Sequence, residues 1–368
     1  MTRSKMGLLD RLGRLRGANN EGVLAVVLLA LVVVMSVANP VFFTLPTAFS
    51  ILRSSIVPLI FALGVLMVII SGGIDVSFAA IAVFAAYTTV RALEAGMPDF
   101  GLVGVFVLAL LIGASLGAIN GFLIAKFRLP TLIVTLGTQG IFKGALLTYV
   151  GSRYIADLPG SMAQISTSNL VEVSTDSGSA YLHVLVIPAV LLALGLAWVL
   201  KNTMFGRSIF AIGGDVEAAR RAGIRVVRTQ MIVYIVAGTM AAMGGLIYVI
   251  MGRSASPQIL VGSELDIIAA VVLGGASIFG GRGSVLGTTL GVLLVQVIYN
   301  SLILAGVPSA WQRTAVGVLL LVGVGVQALA SRRPSRARIL DEAPKNRKLR
   351  HENGELGREK PGSRKRFH

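Results

Sequence analysis

Ten long apolar stretches constrain this 368-residue chain more than any other feature. They run approximately 22–39, 56–71, 76–93, 101–125, 131–150, 182–200, 229–250, 265–279, 284–304 and 312–330. A helix needs about 20 apolar residues to cross the hydrocarbon core of a bilayer. In lipid, such a segment must satisfy its backbone groups internally, so each stretch reads as a helix. Hydrophobic residues make up 55% of the chain and charged residues only 14%, too few charges to cover a water-facing surface of this size. The expected fold is all-α: a polytopic membrane protein of about ten transmembrane helices. The second and eighth stretches are short for a crossing, and each runs into glycines. Ser36-Val37-Ala38 has the small-x-small pattern of a signal-peptide cleavage site. The apolar run before it is long for a signal sequence, so an uncleaved first span is preferred.

The net charge is +16, and its placement sets the expected orientation. Residues 331–368 hold 13 Lys/Arg and 5 Asp/Glu. With the N-terminus inside, the inner side collects Arg3, Lys5, Arg11, Arg14 and Arg16, then Lys126 and Arg128. Next come Lys201, Arg207, Arg220, Arg221, Arg225 and Arg228, then Arg282 and the tail, for 27 of 33 basic residues. The outer side holds Arg53, Arg91, Arg153, Arg253 and Arg313, while Lys143 lies within the fifth stretch. The positive-inside rule therefore expects both termini in the cytoplasm. The division that follows is a basic cytoplasmic segment 1–21, a transmembrane domain 22–330 and a basic, disordered, lipid-touching tail 331–368. Within the domain, 201–228 is a cytoplasmic loop and 151–181 an outer segment rich in Ser, Thr and Asn. The basic residues flank spans rather than interleave with aromatics, so nucleic acid is not an expected partner.

Several chemistries are excluded by composition. The chain has no cysteine and only three histidines, His183, His351 and His368, so thiolate and HExxH metal sites cannot form. No GxxxxGK[ST] sequence occurs, so the chain carries no P-loop. No catalytic residue, metal site or cofactor of its own is expected.

Glycine spacing suggests how the helices pack. Gly113, Gly117 and Gly121 are four apart, as are Gly283, Gly287 and Gly291; each set is expected on one helix face, where it permits close backbone approach. The two sets fall in the fourth and ninth stretches. Leu129-Pro130-Thr131 and Val307-Pro308-Ser309 introduce the fifth and tenth. An offset of five stretches reverses the crossing sense, which is the signature of an inverted five-plus-five repeat. Two segments are broken by glycine: 71–77, reading SGGIDVS, and 274–283, reading GGASIFGGRG. Breaks at membrane depth are tolerated where protein or a water-filled cavity satisfies the freed backbone. Asp75 in the first break is a candidate path residue; the plain alternative is a turn in which it caps the third span. Further path candidates are Ser77, Asn120, Thr135, Thr138, Gln139, Gln296 and Asn300, with Lys143 one turn beyond Gln139. Neutral polar groups suit a neutral hydroxylated solute, and the alternative is that they bond helix to helix.

The loop 201–228 is the most specific feature. It reads Gly206-Arg207, then Ala211-Ile212-Gly213-Gly214, then Asp215-Val216-Glu217-Ala218-Ala219-Arg220-Arg221-Ala222-Gly223. Asp215 is suited to cap a helix, Glu217 to Ala222 to form it and Gly223 to end it. Such a helix could enter a groove of another protein or lie on anionic lipid.

Glu217-Ala218-Ala219 followed by Gly223 is similar to the EAA-x-x-x-G loop of ABC importer membrane subunits. More narrowly, the chain resembles the ribose/xylose/galactose-type sugar permeases of bacterial ABC importers. The matching motifs are Gly72-Gly73-Ile74-Asp75-Val76-Ser77, Leu129-Pro130-Thr131 with Thr135-Leu136-Gly137-Thr138, Gly206-Arg207 with Ala211-Ile212-Gly213-Gly214, and Glu264-Leu265-Asp266-Ile267-Ile268-Ala269-Ala270 with Gly280-Gly281-Arg282-Gly283. Val76 and Phe78 stand where the family usually has Leu and Val, and the basic tail has no counterpart in the pattern. The resemblance implies an inner-membrane permease for a monosaccharide, working as a homodimer or as a heterodimer with a similar permease. It further implies separate cytoplasmic ATPase subunits that bind ATP and Mg, and a periplasmic sugar-binding protein. By the same resemblance, Gly206, Arg207, Gly213, Gly214, Asp215, Glu217, Ala218, Ala219 and Gly223 form the ATPase-coupling loop, and Glu264, Asp266 and the 151–181 segment are contact candidates for the binding protein. Two other classes remain to be tested against this one. A secondary transporter would need an ion site, for which Asp75 is the candidate, and a channel would need no energy source.

Overall fold

The computed structural model describes residues 21–321 except 152, 176, 177, 259, 261, 309, 313, 316, 319 and 320. The N-terminal segment, most of the tenth expected span and the basic tail therefore lie outside the described residues. Of the long elements, α1 (Glu21–Ala38) leads through a 3-10 turn (Pro40–Phe43) into α2 (Leu45–Ile70). Then come α3 (Phe78–Glu94), α4 (Gly101–Phe127) and α5 (Thr131–Val150). A short α6 (Gly160–Ile165) precedes an antiparallel hairpin of β1 (Asn169–Thr175) and β2 (Gly178–His183). The chain continues with α7 (Val186–Asn202), α8 (Met204–Gly214), α9 (Val216–Arg221), α10 (Val226–Gly252), α11 (Glu264–Leu273) and α12 (Val285–Leu304).

Six of these helices are long and apolar enough to cross a membrane: α1, α2, α4, α5, α10 and α12. A seventh crossing arises if α7 and α8, bent by 74° at their junction, count as one span. The expectation of about ten therefore exceeds what length supports among the described residues. The 17 residues of α3 fall just short, and the eighth stretch yields only the 10-residue α11 before Gly274 ends it. The second stretch is longer than expected. Pro58 does not stop α2, which begins at Leu45 and runs 26 residues. The sixth stretch starts later than expected, because its first residues belong to β2. Among the described residues, the hairpin and a single antiparallel bridge between Ile155 and Ala255 depart from an all-α fold.

Buried residues concentrate in α2, α3 and α10. The Gly113–Gly117–Gly121 face of α4 lies directly on α10. A Cβ on Gly113 would sit 2.5 Å from the Gly238 carbonyl oxygen, and one on Gly117 would sit 2.3 Å from that of Tyr234. The second glycine set is partly corrected. Gly283 lies before α12, whose N-cap is Ser284, so only Gly287 and Gly291 share its face. They pack on α11, where an added Cβ would lie 2.0 Å from the Gly274 and Ala270 carbonyl oxygens respectively.

Helix α2 packs on α10 at the centre; α4 packs on α10 and α3, and α12 packs on α2 and α11. Helix α3 also packs on α10, and α11 on α2. Exchanging α2, α3 and α4 for α10, α11 and α12 preserves every one of these pairings. The C-terminus of α2 and the N-terminus of α10 both approach the C-terminal end of α8, so the exchanged halves run in opposite senses. This is the packing logic of an inverted repeat.

Candidate functional site

The two glycine breaks and the end of α8 meet at one place. A Cβ on Gly213 would lie 1.8 Å from the Ile70 carbonyl oxygen and 2.6 Å from the Gly281 amide. Gly280, in the left-handed region at φ 87°, would bring a Cβ 2.5 Å from the Gly213 oxygen and 2.9 Å from the Gly72 Cα. The Gly281 amide donates to the Ile70 oxygen at 2.9 Å. Three chain segments thus touch backbone to backbone, leaving no room for a side chain. Gly214 is different, since an added Cβ there meets nothing within 4 Å.

Directly after this joint comes α9. Asp215 caps it by accepting from the Glu217 and Ala218 amides, both at 2.9 Å. Those amide bonds, the Ala218 one foremost, hold the Asp215 carboxyl below its usual pKa. At the other end Gly223, at φ 82°, donates to Arg220 and Ile224 donates to Ala219, the paired bonds of a Schellman cap. Ala219 packs with Ile212, Ile224 and Val226, fixing α9 against the ends of α8 and α10. The opposite face is open: Val216, Ala218, Arg220 and Arg221 are exposed, and the Glu217 side chain is 66% exposed while paired with Arg220 at 2.7 Å. At the other end of α8, Thr203 caps the helix through the Gly206 amide. An added Cβ on Gly206 would strike the Val199 oxygen at 2.4 Å, so this glycine permits the sharp bend from α7. Arg207 stays exposed, its guanidinium beside the Met204 sulfur.

Above the joint, the 71–77 break is satisfied by side chains. The Thr131 hydroxyl accepts from the Ile74 amide at 3.1 Å, and the Thr135 hydroxyl donates to the Ile74 oxygen at 3.2 Å. Asp75 accepts from both the amide and the hydroxyl of Ser77 at 2.7 Å, and Asn120 donates to that hydroxyl at 2.8 Å. Asp75, Ser77, Asn120 and Thr135 are buried, forming one network that ties the break to α4 and α5. Thr138, also buried, bonds back to the Thr135 oxygen. The sequence gives no sign of Thr131 as the satisfying group beyond its i, i+4 spacing to Thr135.

Farther along α5, Glu264 accepts from Gln139 at 2.7 Å and lies 3.3 Å from the Lys143 ammonium. Sequence reasoning named all three residues but not this meeting, placing Glu264 at an outer contact. The opposite charges of Lys143 and Glu264 in apolar surroundings were the available signal. Glu264 opens α11, whose 10 residues span about 15 Å, half a hydrocarbon thickness. Asp266 accepts from the Tyr299 hydroxyl at 2.8 Å. With Gln296 and Pro58 it lines a cavity of about 110 Å3. Asn300 bonds to Ser50 and Ser54 of α2, so it acts between helices. The face of α5 bearing Gly137, Gly140 and Gly144 meets no atom within 4 Å of an added Cβ.

A bundle of apolar helices long enough to cross a membrane, a 10-residue helix that stops at Gly274 and a capped helix projecting from a glycine joint define a polytopic membrane protein. The sequence profile of the family described as "Branched-chain amino acid transport system / permease component" matches residues 47–324. The chain belongs to this family of permeases, which are transport components rather than enzymes. It is similar to "Autoinducer 2 import system permease protein LsrC" of Yersinia pseudotuberculosis serotype O:1b (strain IP 31758), with 34% identity over 82% of this chain and 83% of the relative. The protein of that name from Yersinia pestis (strain Pestoides F) is 33% identical over the same shares. No solved structure matches.

Proposed function

We propose that the chain is the inner-membrane permease subunit of a binding-protein-dependent ABC importer for a small hydroxylated solute of the monosaccharide class. Both termini and α9 face the cytoplasm, where separate ATPase subunits bind ATP and Mg. The exposed edge of α9 around Glu217 enters a groove of the ATPase. Motion received there reaches the 71–77 and 274–283 breaks through the Gly213 joint, which has no compressible side chain. The solute moves between α5 and α11, where Gln139, Lys143 and Glu264 bridge the two elements at mid-depth, the level at which broken-helix transporters hold their solutes. A similar or identical second permease covers the open glycine face of α5, because glycine faces drive helix association in lipid.

The observation that carries this reading is the continuity from α9 to both breaks. A second reading, an amino-acid solute, draws on the Lys143–Glu264 pair, whose opposite charges match a zwitterion, and on the family's printed description. Uptake in proteoliposomes separates the alternatives. Accumulation of labelled ribose or galactose that needs the ATPase subunits, ATP and the binding protein supports the first reading. Accumulation of labelled leucine under the same conditions supports the second. Uptake by the permease alone, with or without an ion gradient, refutes the importer assignment.

A further inference from the structure

Helix α7 stands beside α2 and α10 with a groove of about 540 Å3 between them, and every residue lining it is apolar. One wall is the α7 face that carries Pro188, Leu192, Gly195 and Val199, spaced three to four residues apart as one helix face requires. This wall is about 17 Å long, close to the hydrocarbon depth of a single leaflet, about 15 Å. The other wall includes Met67 of α2 with Met240 and Met243 of α10, whose unbranched thioether chains adapt to irregular shapes. A Cβ added to Gly195 would meet nothing within 4 Å, so no side chain of the described residues fills the groove at its middle.

The groove reaches the bend between α7 and α8. Val199 lines it just before the 74° turn, and Phe205 lines it just after. The bend also carries Lys201 and Arg207, both exposed. Among the described residues, neither lies within ion-pair distance of a carboxylate. Residues 199–214 contain no acidic side chain. An apolar slot one leaflet deep thus ends at a positively charged rim.

We propose that the groove holds one acyl chain of an anionic phospholipid from the leaflet on the α9 side, with the phosphate of that lipid at Lys201 and Arg207. Lipid tails are as apolar as the lining, so transfer of a tail from bilayer to groove carries no hydrophobic gain. The gain is dispersion contact, which any lining without neighbouring atoms forfeits. Selectivity comes from the headgroup: Arg207 offers a planar fork that matches a phosphate, and Lys201 a point charge. The length of the groove argues against a protein occupant. A transmembrane helix of a second copy needs about 30 Å of matching surface, nearly twice what the groove offers. The proposal does not depend on which solute the protein carries. A chain seated here packs against both sides of the bend that leads through α8 to the Gly213 joint.

The test places the full chain in phosphatidylethanolamine nanodiscs that contain a rising mole fraction of phosphatidylglycerol bearing a photoreactive diazirine at mid-chain. After irradiation, mass spectrometry reads the labelling of the peptides that carry Gly195 and Met240. Labelling saturates at a low mole fraction, as a site requires, and phosphatidylethanolamine with the same diazirine labels these peptides far less. Gly195→Leu fills the groove without a clash and removes the saturable labelling. Lys201→Glu leaves the groove open and raises the half-saturating mole fraction about fivefold, the effect of one basic residue at an anionic surface. This second variant lies outside the groove, so it carries the test where Gly195→Leu does not fold. Labelling that rises linearly with mole fraction, which marks lipid at the general surface, overturns the proposal. Equal labelling by the two headgroups overturns it as well, as does labelling indifferent to both substitutions. Cross-links from the groove to a second copy or to the 312–330 stretch, with no saturable lipid labelling, assign it to protein instead and overturn the proposal too.

Discussion

At Gly213 three backbones touch with no side chain between them, whereas at Glu264 two helices meet through the ends of long polar side chains. The first contact can transmit displacement but cannot open without losing its packing. The second consists of one hydrogen bond and one ion pair, and it can open by rotamer change. The α9 end of the bundle is therefore the stiff region and the α5–α11 boundary the yielding one. This is the division of labour that a driven gate requires, because a small displacement is amplified only where packed elements have two discrete arrangements.

Substitutions can break the comparison at either side. The largest effect is expected at Gly213. Gly213→Ala forces a Cβ into the Ile70 carbonyl, an overlap no rotamer relieves, and costs about 1–3 kcal/mol of stability or more. Uptake falls at least about tenfold, whereas Gly214→Ala, one residue later, retains it. Equal effects at the two positions would remove the steric argument for the joint. Glu217→Lys comes next. It leaves the helices inserted and folded but abolishes ATPase co-purification and uptake, and survival of both would end the role assigned to α9. At the yielding side, Glu264→Gln leaves Lys143 without its counter-charge and costs about 1–3 kcal/mol. The double substitution Glu264→Gln/Lys143→Met recovers part of that loss, which thermal unfolding of the three variants measures. Additive losses would show that the two residues do not interact.

The smallest effect is the pH dependence of α9. Asp215 has a folded pKa below its unfolded value, so its cap is fully stabilising above about pH 4, the ordinary carboxylate value. The contribution is lost as pH falls through the lower folded pKa. Hydrogen exchange at the Glu217 and Ala218 amides should rise there relative to Asp215→Asn. Protection independent of pH across that range would contradict the capping role.

Much of the α9 end was legible in the sequence because its signals are local. An Asx cap, a short run of helix formers and a terminating glycine fix Asp215 to Gly223 without reference to distant residues. The glycine pairs at 72–73, 213–214 and 280–281 were visible too. Their meeting was not, since a glycine states only that something approaches closely and never what. The yielding region was harder for the same reason. Gln139 and Lys143 are i, i+4 neighbours, but Glu264 lies more than 120 residues away, and only packing brings it to them. Length misled at both extremes. Pro58 did not stop α2 because a helix in lipid can be re-satisfied around a proline by its neighbours, while the eighth stretch, counted as a span to 279, ended at the Gly274–Gly275 break that the sequence itself displays.

Pulsed electron spin resonance on the assembled transporter tests the central claim most directly, and the absence of native cysteine makes paired labels unambiguous. One pair at Ala222 and Phe279 spans the joint; another at Leu136 and Leu265 spans the α5–α11 boundary. All four positions are exposed. Across ATP binding and hydrolysis, the first distance stays constant while the second shifts between two values. A first distance that changes with nucleotide while the second stays fixed would contradict the account.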